Sequence, residues 1–229
     1  MTRVAVVLSG CGVFDGSEIH EAVSVLLHLS HHGAAVQCFA PDIDQAHVVN
    51  HLKGQPAEGE SRNVLVEAAR IARGNIKPLA ELKTDDFDTV VFPGGFGAAK
   101  NLCTFAFDGP ECTVHAEVER VLKAFHEAEK PIGMCCIAPA IAARVFGTKA
   151  GGSGCTVTIG SDADTAKAIE TMGSTHSDQP VTDACVDNAN RLVTAPAYMF
   201  GDAPIHEVHE GIGQMIERTL ELAASGSTA

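Results

Sequence analysis

The sequence predicts one α/β domain with a mostly parallel sheet covered by helices on both faces. Two observations carry this. Short β-branched runs alternate with longer stretches of helical period, the pattern of βαβ units. The 229 residues, 45% of them apolar and 20% charged, suit a single large core.

Strands are expected at Val4–Leu8, Val36–Ala40, Thr89–Phe92, Pro131–Cys135 and Thr156–Ile159. A closing hairpin, Val181–Asp187 with Arg191–Thr194, turns on Asn188-Ala189-Asn190. Helices are expected at Ser17–His31, Arg62–Arg73, Val114–Glu129, Ala138–Phe146, Thr165–Met172 and Pro204–Ala223. In the third of these, Val118, Val121, Leu122 and Phe125 fall at core spacing. The polar, turn-rich stretch Asp44–Glu60 reads as an excursion that covers a pocket or a partner, Gly147–Gly154 as a flexible connection, and the residues from about 224 as a loose tail.

The 16 Lys and Arg against 29 Asp and Glu give a net charge of -13, which repels a phosphate backbone, so no nucleic-acid partner is expected. No apolar run approaches the roughly 18 residues of a membrane span. Eight cysteines scattered without C-x-x-C spacing read as reduced thiols. With a strand beginning within three residues of Met1, neither a signal nor a transit peptide is visible, and a cytoplasmic location is expected.

Function is sought at the carboxyl ends of the strands, where open parallel sheets bind ligands. Cys136, just after the strand Pro131–Cys135, sits at a strand-to-helix corner with Pro139 in the first helical turn. Unpaired helical N–H groups there favour a thiolate nucleophile, whereas Cys135 is expected to point into the sheet. The glycines of Phe92-Pro93-Gly94-Gly95-Phe96-Gly97 let backbone N–H groups approach a ligand. Ser17 is expected to cap the first helix, with Glu18 in its first turn at the same end of the sheet.

Gly10-x-Gly12 after a strand, with Asp42 ending the next, imitates a dinucleotide fingerprint, but the third glycine position is Asp15 and Gly16 comes one residue late. His28, His31 and His32 suit the end of a helix, and His206-Glu207-Val208-His209 has its second His one residue early for a zinc motif, so no metal is expected.

LSGCGVFDGSEIHEA, CFAPD, SRNVLVEAARIARG, FPGGFGAAKNL, PIGMCCIAPA and VTAPAYM together resemble the enhancing lycopene biosynthesis protein (ElbB) family. These are glutamine amidotransferase-like proteins of the PfpI and glyoxalase III superfamily, with relatives in mitochondria. The resemblance runs from Val4 to about Leu222 and implies a three-layer, flavodoxin-like sandwich. It also implies a reactive elbow cysteine at Cys136, a glutamate at Glu18 hydrogen-bonded to it, and an oxyanion hole from the N–H groups near Gly94, Gly95 and Ile137.

Strongly catalytic members often carry His after the nucleophile, where this chain has Ile137, so a slow enzyme is implied. True glutaminases carry His-Pro-Glu where this chain reads Thr194-Ala195-Pro196-Ala197, so glutamine hydrolysis is not expected. Other superfamily members convert methylglyoxal to lactate without glutathione or are described as protein deglycases. The family name implies a genetic link to isoprenoid metabolism and no chemistry. The resulting expectation is a cofactor-independent, thiol-based glyoxalase acting on a small 2-oxoaldehyde, in a homodimer or larger homo-oligomer. The competing readings are a redox sensor with an oxidisable Cys136 and a dinucleotide-binding protein.

Overall fold

The computed structural model describes residues 1–225. The expected loose tail therefore falls mainly on residues 226–229, outside the described residues, and Ala224 and Ser225 still belong to the last helix. The strands are β1 (Arg3–Val7), β2 (Ala35–Ala40), β3 (Val49–Asn50), β4 (Gln55–Pro56), β5 (Ile76–Pro78), β6 (Thr89–Phe92), β7 (Ile132–Cys135), β8 (Thr156–Val157), β9 (Thr175–His176), β10 (Cys185–Asp187) and β11 (Leu192–Ala195). The α-helices are α1 (Ile19–His31), α2 (Val64–Ile71), α3 (Phe96–Lys100), α4 (Phe105–Asp108), α5 (Ala116–Glu127), α6 (Pro139–Phe146), α7 (Ala163–Thr171) and α8 (Ile205–Ser225).

Seven strands form one sheet in the order β10-β11-β7-β6-β1-β2-β5, parallel throughout except for β10, which pairs antiparallel to β11. Strand alternation sorts the side chains into two cores. Ala5, Val7, Val90, Phe92, Ile132 and Met134 meet α5, α6 and α7 on one face. Val4, Val6, Val91, Cys135 and Val193 meet α1, α2 and α8 on the other. The chain leaves β1 for β2 on one side and returns to β6 on the other, so the strand order reverses between β1 and β6, and the site lies at the carboxyl ends of the strands beside this reversal.

One expectation about the strands is corrected, and the sheet gains an edge strand beyond those expected. Thr156–Ile159 is not a strand of the main sheet: only Thr156–Val157 is extended, and it pairs with β9 in a separate two-stranded ladder. Side chains of the neighbouring hairpin take its amides, Asp187 accepting from the Thr156 N–H at 2.7 Å and Thr194 from the Thr158 N–H at 2.9 Å. The edge β5 went unread because three residues are too few to establish a period and Pro78 supplies no ladder donor.

The excursion Asp44–Glu60 holds the small β3–β4 hairpin and is fastened behind the loop after β1. Asp15 accepts from the Val49 N–H at 2.7 Å, and the buried Asn101 accepts from the Ala46 N–H while donating to the carbonyls of Ser9 and Asp15, each at 2.9 Å. None of its residues lines the cavity described below, so it braces the site rather than covering it.

Candidate active site

β7 ends at Cys135, and Cys136 turns the chain toward α6 with φ +59°, in the left-handed region that ordinary residues avoid. Its N–H donates to the Ala195 carbonyl at 3.0 Å, and Pro139 opens α6. This is the strained elbow that lifts a nucleophile above a sheet. Cys135 points into the core under α1 and α8, as expected; burial pushes its thiol well up, and its Sγ lies 4.0 Å from Glu21 Oε2.

The loop after β6 closes against the loop after β1 through backbone bonds, Glu18 N–H to Gly94 O at 2.9 Å and Gly97 N–H to Gly16 O at 2.9 Å. Gly94 is required by proximity: a Cβ there would lie 2.3 Å from the Cys136 Cβ and 2.6 Å from Glu21 Oε2. Gly95 adopts φ +98° and abuts the backbone of Ser17 and Glu18.

The expected cap and the expected carboxyl partner are both corrected. Glu18, not Ser17, caps α1, its Oε2 accepting from the Glu21 N–H at 2.7 Å, because Ser17 Oγ is engaged by the Ser9 N–H at 2.9 Å. The carboxyl hydrogen-bonded to the Cys136 thiol is that of Glu21, one turn into the helix, not Glu18. Glu21 is wholly buried, and its Oε1 accepts from the Tyr198 N–H at 3.0 Å. Glu18 instead faces the cavity beside Cys136.

The N–H groups divide as well. Those of Gly95 and Ile137 are directed at the Cys136 sulfur, whereas that of Gly94 serves the Glu21 carboxyl, so Gly94 contributes shape and carboxyl contact rather than an oxyanion donor.

The thiolate expectation is also corrected. Burial first, and then the Glu21 charge, push the Cys136 thiol well above its ordinary value, against the pull of the Gly95 and Ile137 N–H groups. Burial and the neighbouring Glu18 raise Glu21 itself to about 8. Cys136 therefore rests as a thiol beside an acid that holds its own proton near neutrality.

Stability should record this. An exposed Glu21 gives up its proton near 4.5 and the folded one near 8, so the folded state binds the extra proton between these values and stability falls as pH rises across that window. Glu21→Gln removes that slope. Relative to wild type, its unfolding free energy is expected to gain about 3 kcal/mol between pH 5 and pH 8 in urea titrations. A constant difference would show that Glu21 titrates normally.

Above the sulfur lies a cavity of about 490 Å³, bounded by Glu18, Cys136, Ile137, Phe96, Phe105, Asp162, Tyr198 and their neighbours. Sequence reasoning missed Glu21 and Tyr198. Glu21 carried a signal, since Glu21, Val25 and Leu29 occupy one buried stripe of α1 and an acid in such a stripe needs a reason. Tyr198, the sole tyrosine, follows Ala197, whose φ of +47° belongs to the turn in which the Tyr198 N–H meets Glu21.

The dinucleotide reading does not survive this geometry. The α1 N-terminus is occupied by the Glu18 carboxyl, and in the loop before it the Gly12 N–H donates to Ser17 O and the Gly16 N–H to Gly12 O. A phosphate finds neither a free helix end nor room, since a Cβ on Gly16 would already lie 2.2 Å from the Cys11 nitrogen.

A family model described as DJ-1/PfpI family matches residues 11–200. A human protein named glutamine amidotransferase-like class 1 domain-containing protein 3, mitochondrial, is 56% identical over 229 residues, covering 96% of this chain and 83% of its own length. The crystal structure of an isoprenoid biosynthesis protein with amidotransferase-like domain from Ehrlichia chaffeensis superposes with a TM-score of 0.89 at 38% identity, over 97% of this chain and 99% of that one. Glyoxalase III from Candida albicans shares the fold, with a TM-score of 0.58 at 15% identity over 98% and 97% of the two chains.

These relatives correct the expected cytoplasmic location. The human protein and a rat ES1 homologue 54% identical to this chain are both named as mitochondrial. The free cysteines that suggested a cytosol mark only a reducing environment and do not distinguish one reducing compartment from another.

Proposed function

This chain belongs to the DJ-1/PfpI family, and from that premise we propose that it is a cofactor-independent, thiol-based glyoxalase that converts a 2-oxoaldehyde and water to the 2-hydroxy acid. The observation that carries the reading is the buried pair of Cys136 and Glu21 beneath a cavity, with the Gly95 and Ile137 N–H groups on the sulfur.

In this reading Glu21 accepts the thiol proton as Cys136 Sγ adds to the aldehyde carbon. The resulting oxyanion takes hydrogen bonds from the Gly95 and Ile137 N–H groups and then a proton. Glu21 supplies that proton from the one it took from the thiol and, again a carboxylate, moves the C1 proton to C2 through an enediol while the O1 proton passes to O2, leaving a thioester that water cleaves to the 2-hydroxy acid and free Cys136. Glu18 positions Glu21 through its N–H and raises its basicity.

Ile137 puts an aliphatic side chain on the cavity wall where an imidazole would help proton transfer, which supports a modest rate. A thiol held up by burial is a poor target for peroxide, so the sensor reading finds little support. A homodimer belongs to the same proposal, and the exposed apolar stripe Ile19, Val23 and Leu27 along α1 supports it.

The test is lactate formation from methylglyoxal without glutathione. Wild type and Cys135→Ala should both turn over, the latter reduced only by looser packing, and Cys136→Ala should lose at least a thousandfold. Equal lactate formation by wild type and Cys136→Ala would end the proposal.

A further inference from the structure

The walls of the cavity are more selective than the chemistry at its floor. Two of its side chains are acidic, Glu18 and Asp162, and none is Lys, Arg or His. Asp162 caps α7, its Oδ1 accepting from the Thr165 N–H at 2.8 Å, and these bonds hold its carboxyl below the ordinary value, so it is charged at neutral pH. Lys100, beside the site, does not line the cavity: its ammonium donates to the Phe14 carbonyl at 2.9 Å and stands over the Phe96 ring, 5.2 Å from its centre. An incoming anion therefore meets negative charge with no cation to receive it, in a chain already carrying a net charge of -13.

Size points the same way. A water molecule takes about 30 Å³ of liquid, so a three-carbon aldehyde fills only a fraction of the cavity's approximately 490 Å³. The remaining wall is largely apolar, with the rings of Phe96, Phe105 and Tyr198 and the side chain of Met199 facing the space. A small substrate would leave that surface wet and unused.

We propose that the cavity selects uncharged 2-oxoaldehydes bearing an aryl-sized apolar substituent and turns carboxylates away, with Glu18 and Asp162 excluding anions and Phe96, Phe105 and Tyr198 seating the substituent. This rests on the glyoxalase reading for its reaction but not for its selectivity, and the two can be tested apart.

Selectivity is read from alkylation of Cys136, resolved by peptide mass spectrometry, with each reagent's rate divided by its rate on 2-mercaptoethanol. Iodoacetate should be at least about tenfold slower than neutral iodoacetamide on this scale, and phenacyl bromide at least about tenfold faster. Asp162→Asn, which keeps the helix cap, should raise the ratio of iodoacetate to iodoacetamide several-fold, and Phe105→Leu should shrink the phenacyl advantage. Equal normalised rates for the three reagents, or ratios unmoved by both substitutions, overturn the proposal.

Turnover of phenylglyoxal against methylglyoxal separates the two ideas. Selective labelling without any turnover keeps the cavity's preference and removes the glyoxalase reading. Methylglyoxal turnover with unselective labelling does the reverse.

Discussion

Glu21→Gln is expected to lower kcat/KM for a 2-oxoaldehyde by about a thousandfold, while Glu18→Gln costs about tenfold or less. Of the two carboxyls, Glu21 is the one that hydrogen-bonds the Cys136 thiol, and a glutamine there accepts no proton from it. The pH profile separates a proton acceptor from a merely structural residue. Because Glu21 must be a carboxylate to accept the proton, the rate should rise with pH through about 8. Glu18→Gln removes a neighbouring charge that raises Glu21, so the rising limb should move to lower pH. A larger loss at Glu18 than at Glu21, or a limb that stays in place, would return the catalytic role to Glu18.

The second large effect is on folding. Gly94→Ala is expected to destabilise the protein by roughly 3 kcal/mol, a fall in Tm of about 6–12 °C for a chain of this size. The added methyl would stand 2.3 Å from the Cys136 Cβ, 2.6 Å from Glu21 Oε2 and 2.9 Å from the Cys135 carbonyl oxygen, two of which belong to short, rigid parts of the site. Gly201→Ala is the control: nothing lies within 4 Å of its Cβ, and a change within about 0.5 kcal/mol is expected. Scanning calorimetry on the two variants side by side decides it, and a Gly94→Ala melt within 2 °C of wild type, on the order of 1 kcal/mol, would mean that the strand-end loops yield more than their packing implies.

The fold was legible where burial writes a period into the sequence. Val4–Val7, Thr89–Phe92 and Ile132–Cys135 are central strands buried on both faces, and their apolar runs show it. Thr156–Ile159 has the same composition and misleads, because the amides of its later half go to side chains distant in sequence, Thr158 N–H to Thr194 and Ile159 N–H to His176, and these leave no local mark. At the site, Cys136 and the glycines follow from chain geometry at a strand end. Assigning the carboxyl required the helix start to within a turn: with Glu18 as the cap, Glu21 is carried round onto the buried face beside the cysteines, a rotation that sequence boundaries do not resolve.

Cys136 at φ +59° occupies a conformation that glycine adopts without strain and cysteine does not. Glycine there would relieve the backbone at the loss of the sulfur. Directed evolution of this protein for heat resistance alone would thus drift toward disarming it at this position, and any thermostabilisation campaign has to screen for thiol chemistry alongside melting temperature.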